Sequence, residues 1–244
     1  MRSAKCGISN GGLEYNKGSD CRYWLFVPQS ANRDLKSEIL RVGGIVLAGG
    51  KSSRMGRAKA TLPFGAELMV QRAVRLLGSV VQPIVVVAAA GQELPELPAH
   101  TLIAYDEREA RGPLEGLLAG LTLIEPLADA IYATSCDVPL LEPAFVQAVI
   151  ERLGDAQIAV PVEDDFAHPL AAVYRTSVVP TVRELLSADQ LRPAFLFDRV
   201  PTRRIPVEEL RQFDANFATL RNCNRPEDYE AALAEAGFEP LGET

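Results

Sequence analysis

Residues 43–59, Gly43-Gly44-Ile45-Val46-Leu47-Ala48-Gly49-Gly50-Lys51-Ser52-Ser53-Arg54-Met55-Gly56-Arg57-Ala58-Lys59, read as a buried strand and the loop that leaves it. Gly44-Ile45-Val46-Leu47-Ala48 is a short apolar run broken by glycines, the pattern of a strand covered on both faces that feeds a turn. The loop then delivers four cations, Lys51, Arg54, Arg57 and Lys59, within nine residues. Adjacent Gly49 and Gly50 allow backbone N–H groups close to an anion, and the cations supply charge for a polyphosphate. Counting removes two rival phosphate loops. GxxxxGK[ST] needs a glycine five residues before Gly50, where Ile45 stands, and GxGxxG is absent. Taken alone, the stretch also fits a glycine-rich turn with a solvated basic face.

Working outward, strands and helices alternate. Glu67 to Leu77 places Leu68, Val70, Ala73, Val74 and Leu77 at mostly helical spacing and stops at Gly78. Ile84-Val85-Val86-Val87-Ala88-Ala89 is β-branched and apolar on both faces, as a covered parallel strand requires. Pro113 opens a helix whose Leu114, Leu117, Leu118, Leu121 and Ile124 follow a 3.6-residue period. Ala130 to Thr134 is the next strand, and Pro143 starts a helix that runs to Gly154. Ile158 to Pro161 and Leu170 to Tyr174 read as further strands, and Asn224 is the expected cap of a last helix through Pro226, Glu227 and Asp228. The expectation is an α/β fold, a doubly wound and mostly parallel sheet with a Rossmann-like nucleotide-binding half, whose ligands bind at the carboxyl ends of the strands.

Residues 1–41 differ from the rest. Gly, Ser, Asn and Lys are dense, and the one concentrated apolar patch is Tyr23-Trp24-Leu25-Phe26-Val27. Either that patch is a short strand docking on the body, or the stretch lies upstream of the functional start; the composition favours a poorly ordered extension.

Over the full 244 residues, 48% hydrophobic and 23% charged residues exclude a disordered or membrane-embedded protein. A net charge of −7 has the wrong sign for wrapping nucleic acid. Cys6, Cys21, Cys136 and Cys223 form no CxxC pair, and with only two histidines a zinc site lacks ligands. Reduced thiols in the cytoplasm are the default. Gly7, Ser9, Asn10, Gly11 and Gly12 interrupt the N-terminus, so neither a signal peptide nor a membrane span is expected.

LAGGxSxRMGxxK at Leu47 to Lys59, continued by Leu62-Pro63-Phe64-Gly65, resembles the signature of the nucleotidyltransferase family that includes sugar-nucleotide pyrophosphorylases and, most closely, the molybdenum cofactor guanylyltransferases. The similarity runs from about Gly43 to the C-terminal helix, making residues 42–240 a nucleotidyltransferase domain with the fold of the nucleotide-diphospho-sugar transferases. It implies that Leu47, Ala48, Gly49 and Gly50 hold the nucleotide and that Arg54 and Lys59 neutralise its phosphates. Ala58 departs from the pattern, since many relatives carry aspartate there. Thr134-Ser135-Cys136-Asp137-Val138-Pro139 resembles the family's CDxP segment. An arbitrary Asp-x-Pro is more often a turn or cap, whereas the resemblance makes Asp137 a ligand of Mg²⁺ bridging the triphosphate. Cys136 reads as a small buried neighbour.

Asp106 followed by Arg111-Gly112-Pro113-Leu114-Glu115-Gly116 resembles the family's acid and GPLxG, which lie over the nucleotide. On its own Asp-Glu-Arg-Glu is an ordinary solvated loop. His168-Pro169-Leu170 resembles a family segment that faces the acceptor, and Asn222-Cys223-Asn224 the family's Asn-x-Asn before a Pro-Glu-Asp helix; Pro113, Leu114, His168 and Asn222 are the candidate substrate contacts. The implied reaction takes GTP and molybdenum-bound molybdopterin, with Arg54, Lys59 and Asp137 catalytic, and makes molybdoenzyme-maturation proteins candidate partners. Rival expectations are a cytidylyltransferase on the same cofactor, a sugar-phosphate nucleotidyltransferase, and a non-catalytic nucleotide sensor; Lys59 together with Asp137 argues against the sensor.

Overall fold

The computed structural model describes residues 40–49, 58–106 and 111–239. The extension at residues 1–39, Gly50, Arg54 and the rest of the loop up to residue 57 lie outside the described residues. In chain order the elements are β1 (Val42–Leu47), β2 (Pro63–Phe64), β3 (Glu67–Leu68), α1 (Met69–Gly78), β4 (Ile84–Ala89), β5 (Leu102–Asp106), α2 (Pro113–Ile124), β6 (Ala130–Ser135), α3 (Pro143–Glu151), β7 (Ile158–Glu163), β8 (Phe166–Ala167), β9 (Ala172–Arg175), α4 (Val179–Ser187), α5 (Ala194–Phe197), β10 (Thr202–Pro206) and α6 (Pro226–Glu235).

The main sheet runs β10-β7-β9-β6-β1-β4-β5, with β8 paired to β7. The β5/β4, β4/β1, β1/β6 and β7/β10 pairs are parallel, and β9 runs antiparallel to both neighbours. The mostly parallel α/β sheet expected from the sequence is therefore present, with one reversed strand near its middle.

Two helical layers cover the sheet, and the two-residue period of β1 assigns its side chains to them. Val46 joins Val86 and Tyr132 under α1 and α3, where Val70, Val74, Leu77, Phe145 and Val149 are buried. Ile45 and Leu47 point the other way, onto Leu114, Leu117 and Leu121 of α2, and α4 extends the same layer with Val182 and Leu186. Gly44 is where α1 comes closest: a Cβ there would stand 2.5 Å from Leu77 Cδ2. A side chain at this position displaces the Leu77 and Ile84 side chains from the α1–sheet interface, an overpacking that costs about 1–3 kcal/mol.

Several boundaries differ from the sequence expectation for identifiable reasons. The helix expected from Glu67 begins at Met69, because Glu67 and Leu68 pair back onto Phe64 and Pro63 as the β3 arm of a hairpin. α3 ends at Glu151, and the chain turns before Gly154. β5 is a short apolar run of four residues, Leu102 to Tyr105, and β10 has no continuous apolar run. Both are edge strands, so Ile103 and Tyr105 of β5 face solvent and only Ile205 of β10 is buried. Asn224 does not cap α6. Arg225 is the N-cap residue, and Asp228 Oδ2 accepts the N–H groups of both Asn224 (3.1 Å) and Arg225 (2.9 Å).

A smaller apolar cluster, Leu62, Phe64, Met69, Cys223, Tyr229 and Leu233, docks α6 on the β2/β3 hairpin. The Tyr229 hydroxyl donates to the Pro63 carbonyl, and Phe64 takes the Tyr229 and Phe238 rings edge-on. This docking brings the segment before α6 against the residues that follow the glycine-rich loop.

Candidate active site

The carboxyl ends of β5, β4, β1 and β6 open into one cleft of about 770 Å³, within the range of small-ligand sites. Its wall contains Leu47, Ala48 and Gly49 after β1, Val87 to Ala90 with Gln92 after β4, Asp106 at the end of β5, and Ser135, Cys136 and Asp137 after β6. Gly112, Pro113 and Gly116 close it from the start of α2. Here Gly112 is at φ +76, and Pro113 occupies the first turn, where a missing N–H removes nothing from the helix. Free N–H groups of that first turn belong to this end of the helix.

β1 is fixed between its neighbours to its last residue. Ala48 N–H and Gly49 N–H both donate to Val87 O, at 2.8 and 3.2 Å, and Cys136 N–H donates to Leu47 O at 2.9 Å. Gly49 lies so close to β4 that a Cβ would stand 3.0 Å from Ala89 N. A side chain here presses on the β4 backbone, which must give by a few tenths of an ångström, so glycine is favoured where the loop leaves β1.

On the β6 side of the cleft a cation and an acid meet. Lys59 Nζ donates to Asp137 Oδ2 at 2.7 Å and to Asn224 Oδ1 at 2.8 Å. The Ser135 hydroxyl donates to Asp137 Oδ1, and the Asp137 carbonyl accepts from Cys223 N–H at 2.8 Å. The side chains of Lys59 and Asp137 are only 18% and 12% exposed, so their charges act through less water than a surface pair. Three distant segments converge on the ammonium: the turn after the glycine-rich loop, the end of β6 and the approach to α6.

The neighbouring thiols are inert at neutral pH. Burial, reinforced by the Asp137 charge, pushes Cys136 up to about 12, and burial with the charges of Asp137 and Asp228 pushes Cys223 up to about 12. Burial thus disfavours the thiolate form of both, and charge and alignment are what the Lys59–Asp137 pair offers.

Of the residues singled out by sequence, Leu47, Ala48, Gly49, Lys59, Asp106, Pro113, Asp137 and Asn222 line the cleft. Leu114 does not. It is fully buried between α2 and the sheet, because the helical period that makes it a core residue turns it away from the opening. His168 does not line the cleft either; it is half-buried and edge-on to Phe166 at 4.9 Å, while Leu170 two residues on reaches the cleft. Ser135, Gln92 and the Lys59 contact of Asn224 were not anticipated. Ser135 directly precedes the Cys136-Asp137 pair, which is a readable signal; Gln92 sits in a proline-rich loop with none.

Residues 44–201 match the family of the MobA-like NTP transferase domain. A protein of Mycobacterium ulcerans (strain Agy99) named "Probable molybdenum cofactor guanylyltransferase" is 35% identical over 203 residues, covering 81% of this chain and 96% of that protein. Its namesake from Mycobacterium tuberculosis (strain ATCC 25618 / H37Rv) is 36% identical over 183 residues, covering 73% and 90%. The crystal structure of molybdopterin-guanine dinucleotide biosynthesis protein A from Archaeoglobus fulgidus shares the fold, with a TM-score of 0.65 at 19% identity over 81% of this chain and 99% of that one.

Proposed function

The chain belongs to the MobA-like NTP transferase domain family, and from that premise we propose that it transfers the guanylyl group of GTP to the terminal phosphate of molybdenum-bound molybdopterin. A phosphate oxygen of the acceptor attacks the α-phosphorus, the bond from that phosphorus to the β-phosphate oxygen breaks, and pyrophosphate leaves. The observation that carries this reading is the meeting of Lys59 and Asp137 in a nucleotide-sized cleft built from the ends of β1, β4 and β6.

Base and ribose are assigned to the slot bounded by Leu47, Ala48, Gly49 and Asp106, and the triphosphate to the loop that ends at Lys59. Arg54 and Gly50, outside the described residues, are assigned to the same phosphates. Pro113 and Asn222 face the acceptor, with His168 supporting that wall from behind.

A divalent cation, magnesium in this reading, suits the donor set. Asp137 offers a hard carboxylate oxygen in the cleft, and among the described residues no group of three or more His, Cys, Asp or Glu stands ready to cage an ion. One carboxylate, with waters and triphosphate oxygens completing the shell, is how magnesium is commonly held. When bound, the ion neutralises charge on the triphosphate. The chain's own residues do the rest: Ser135 orients the Asp137 carboxylate, Asn224 orients the Lys59 ammonium, and Lys59 offsets charge as pyrophosphate departs. The acceptor phosphate is ionised at neutral pH, so no general base is needed and alignment supplies much of the rate.

We assign the protein to the cytoplasm. Among the described residues no helix is long and apolar enough to cross a membrane, and Cys136 and Cys223 are free thiols.

The test is pyrophosphate release by the purified protein with molybdopterin and GTP, CTP or UTP. GTP is expected to be preferred by about tenfold to a hundredfold, since a slot built for guanine's donor edge and carbonyl leaves buried groups unpaired with another base. Equal transfer from CTP overturns the guanine assignment, and absence of pyrophosphate release with every triphosphate overturns the transferase reading.

A further inference from the structure

The turn after β4 carries a side chain to which the reaction above gives no role. Ala89 ends β4, Gly91 at φ +74 reverses the chain, and Gln92 N–H donates to Ala89 O at 3.0 Å. The Gln92 carboxamide then reaches back across the strand ends. Its Oε1 accepts from Ala89 N–H at 3.0 Å, and its Nε2 donates to Ala48 O at 3.0 Å. This bridge stands one step beyond the last direct bonds between the two strands, those of Ala48 and Gly49 N–H to Val87 O.

We infer that Gln92 is a positioning residue for nucleotide selection: its amide fixes the separation of Ala48-Gly49 from Ala88-Ala89 and thereby the width of the base slot. The inference rests on the nucleotide reading of the cleft. All five residues line that cleft, and among the described residues no other hydrogen bond joins these strand ends once the ladder stops. A carboxamide is the neutral side chain that presents an acceptor and a donor side by side, which the Ala89 N–H and Ala48 C=O require. Without it both groups turn to water, and the Gly49 backbone, packed against Ala89 N, loses its fixed neighbour. The phosphate end is insulated from this change, because Lys59 and Asp137 are held from the β6 side.

The experiment uses the full chain with Gln92→Met, which keeps length and removes both hydrogen bonds. Magnesium complexes of GTP, CTP and inorganic tripolyphosphate are titrated calorimetrically, and turnover is measured at saturating GTP. The expected result is GTP affinity about tenfold weaker, a smaller GTP-to-CTP preference, and unchanged tripolyphosphate affinity. KM for GTP rises while kcat stays near wild type. Hydrogen exchange at the Ala89 amide accelerates while that of Val87 does not. Gln92→Glu, which keeps the acceptor for Ala89 and loses the donor to Ala48, is expected to give the same pattern and serves if the methionine variant folds poorly. Unchanged GTP affinity and preference overturn the inference, as does an equal loss for tripolyphosphate, which marks a general distortion. A wild-type protein that binds GTP no better than tripolyphosphate overturns the nucleotide reading itself, whatever the variants do.

Discussion

From β5 through β4 and β1 to β6 the strands run parallel and hand the cleft their carboxyl ends, Asp106, Ala89, Leu47 and Ser135. Beyond β6 the sheet reverses, and the approach to β9 hands the cleft Leu170, two residues before the strand starts. On the parallel side the wall combines strand-end residues with three charged ones, Asp106 at the end of β5 and Lys59 and Asp137 on the β6 side. On the reversed side the approach to β9 contributes Leu170, and His168 two residues earlier does not line the cleft. The parallel side, where strand ends and charges meet, suits a nucleotide, and in the reading proposed above the less charged reversed side is left to the acceptor.

The contrast breaks most visibly at Asp137. Asp137→Asn keeps the shape and the Ser135 contact but loses the charge that pairs with Lys59 and suits a metal. Turnover is expected to fall roughly 10²–10³-fold, with melting temperature within a few degrees because Lys59 retains Asn224. Calorimetry and pyrophosphate release measure the two. Near-normal release at saturating magnesium would move the metal site off β6.

Lys59 and Asn224 sharpen the same side. Lys59→Met is expected to lower kcat by about 10²-fold, and Asn224→Ala by about tenfold, since the latter removes a hydrogen bond that aims the ammonium. If Asn224 acts through Lys59, the double variant loses little beyond Lys59→Met. Fully additive losses in single-turnover rates would give Asn224 a separate role, closer to the acceptor.

How legible each half was follows from the same contrast. β1, β4 and β6 are buried on both faces and announce themselves as apolar runs, and the glycine-rich loop with its cations marks where they end. β5 and β10 are edge strands, one face wet, and their alternation is too short to separate from loop. Leu114 was read from its motif as a substrate contact, yet its place in the period of α2 already put it in the core. Asn224 was read as a cap from the Asn-Arg-Pro-Glu-Asp pattern. Asp228 does that work, and a lysine 165 positions earlier claims the asparagine side chain. No local pattern encodes a contact of that range, just as none marked Gln92.

The smallest effect belongs to the reversed side, at His168. Its backbone is fixed by bonds from His168 N–H to Pro161 O at 3.0 Å and from Ala171 N–H to its own carbonyl at 3.1 Å. Its ring lies edge-on to Phe166, and Nε2 is buried without a hydrogen-bond partner among the described residues. Burial lowers the affinity of the ring for a proton, and the Glu163 charge only partly opposes this, so the folded pKa lies below the usual histidine value of 6.5. The sign follows from linkage. The unfolded chain takes up the proton first as pH falls, so the contribution of the neutral ring is complete above 6.5 and is lost as pH drops through the folded value. Because the ring is only half-buried, solvent screens much of this. Between pH 7.5 and 5.5, wild type is expected to lose about 1–3 °C more in melting temperature than His168→Gln. GTP affinity of that variant stays unchanged, and only KM for the pterin acceptor rises. The ring titration followed by NMR supplies the direct check. A midpoint at or above 6.5 would mean that Glu163 outweighs burial, and the wall behind the acceptor would then be as charged as the phosphate end rather than its neutral counterpart.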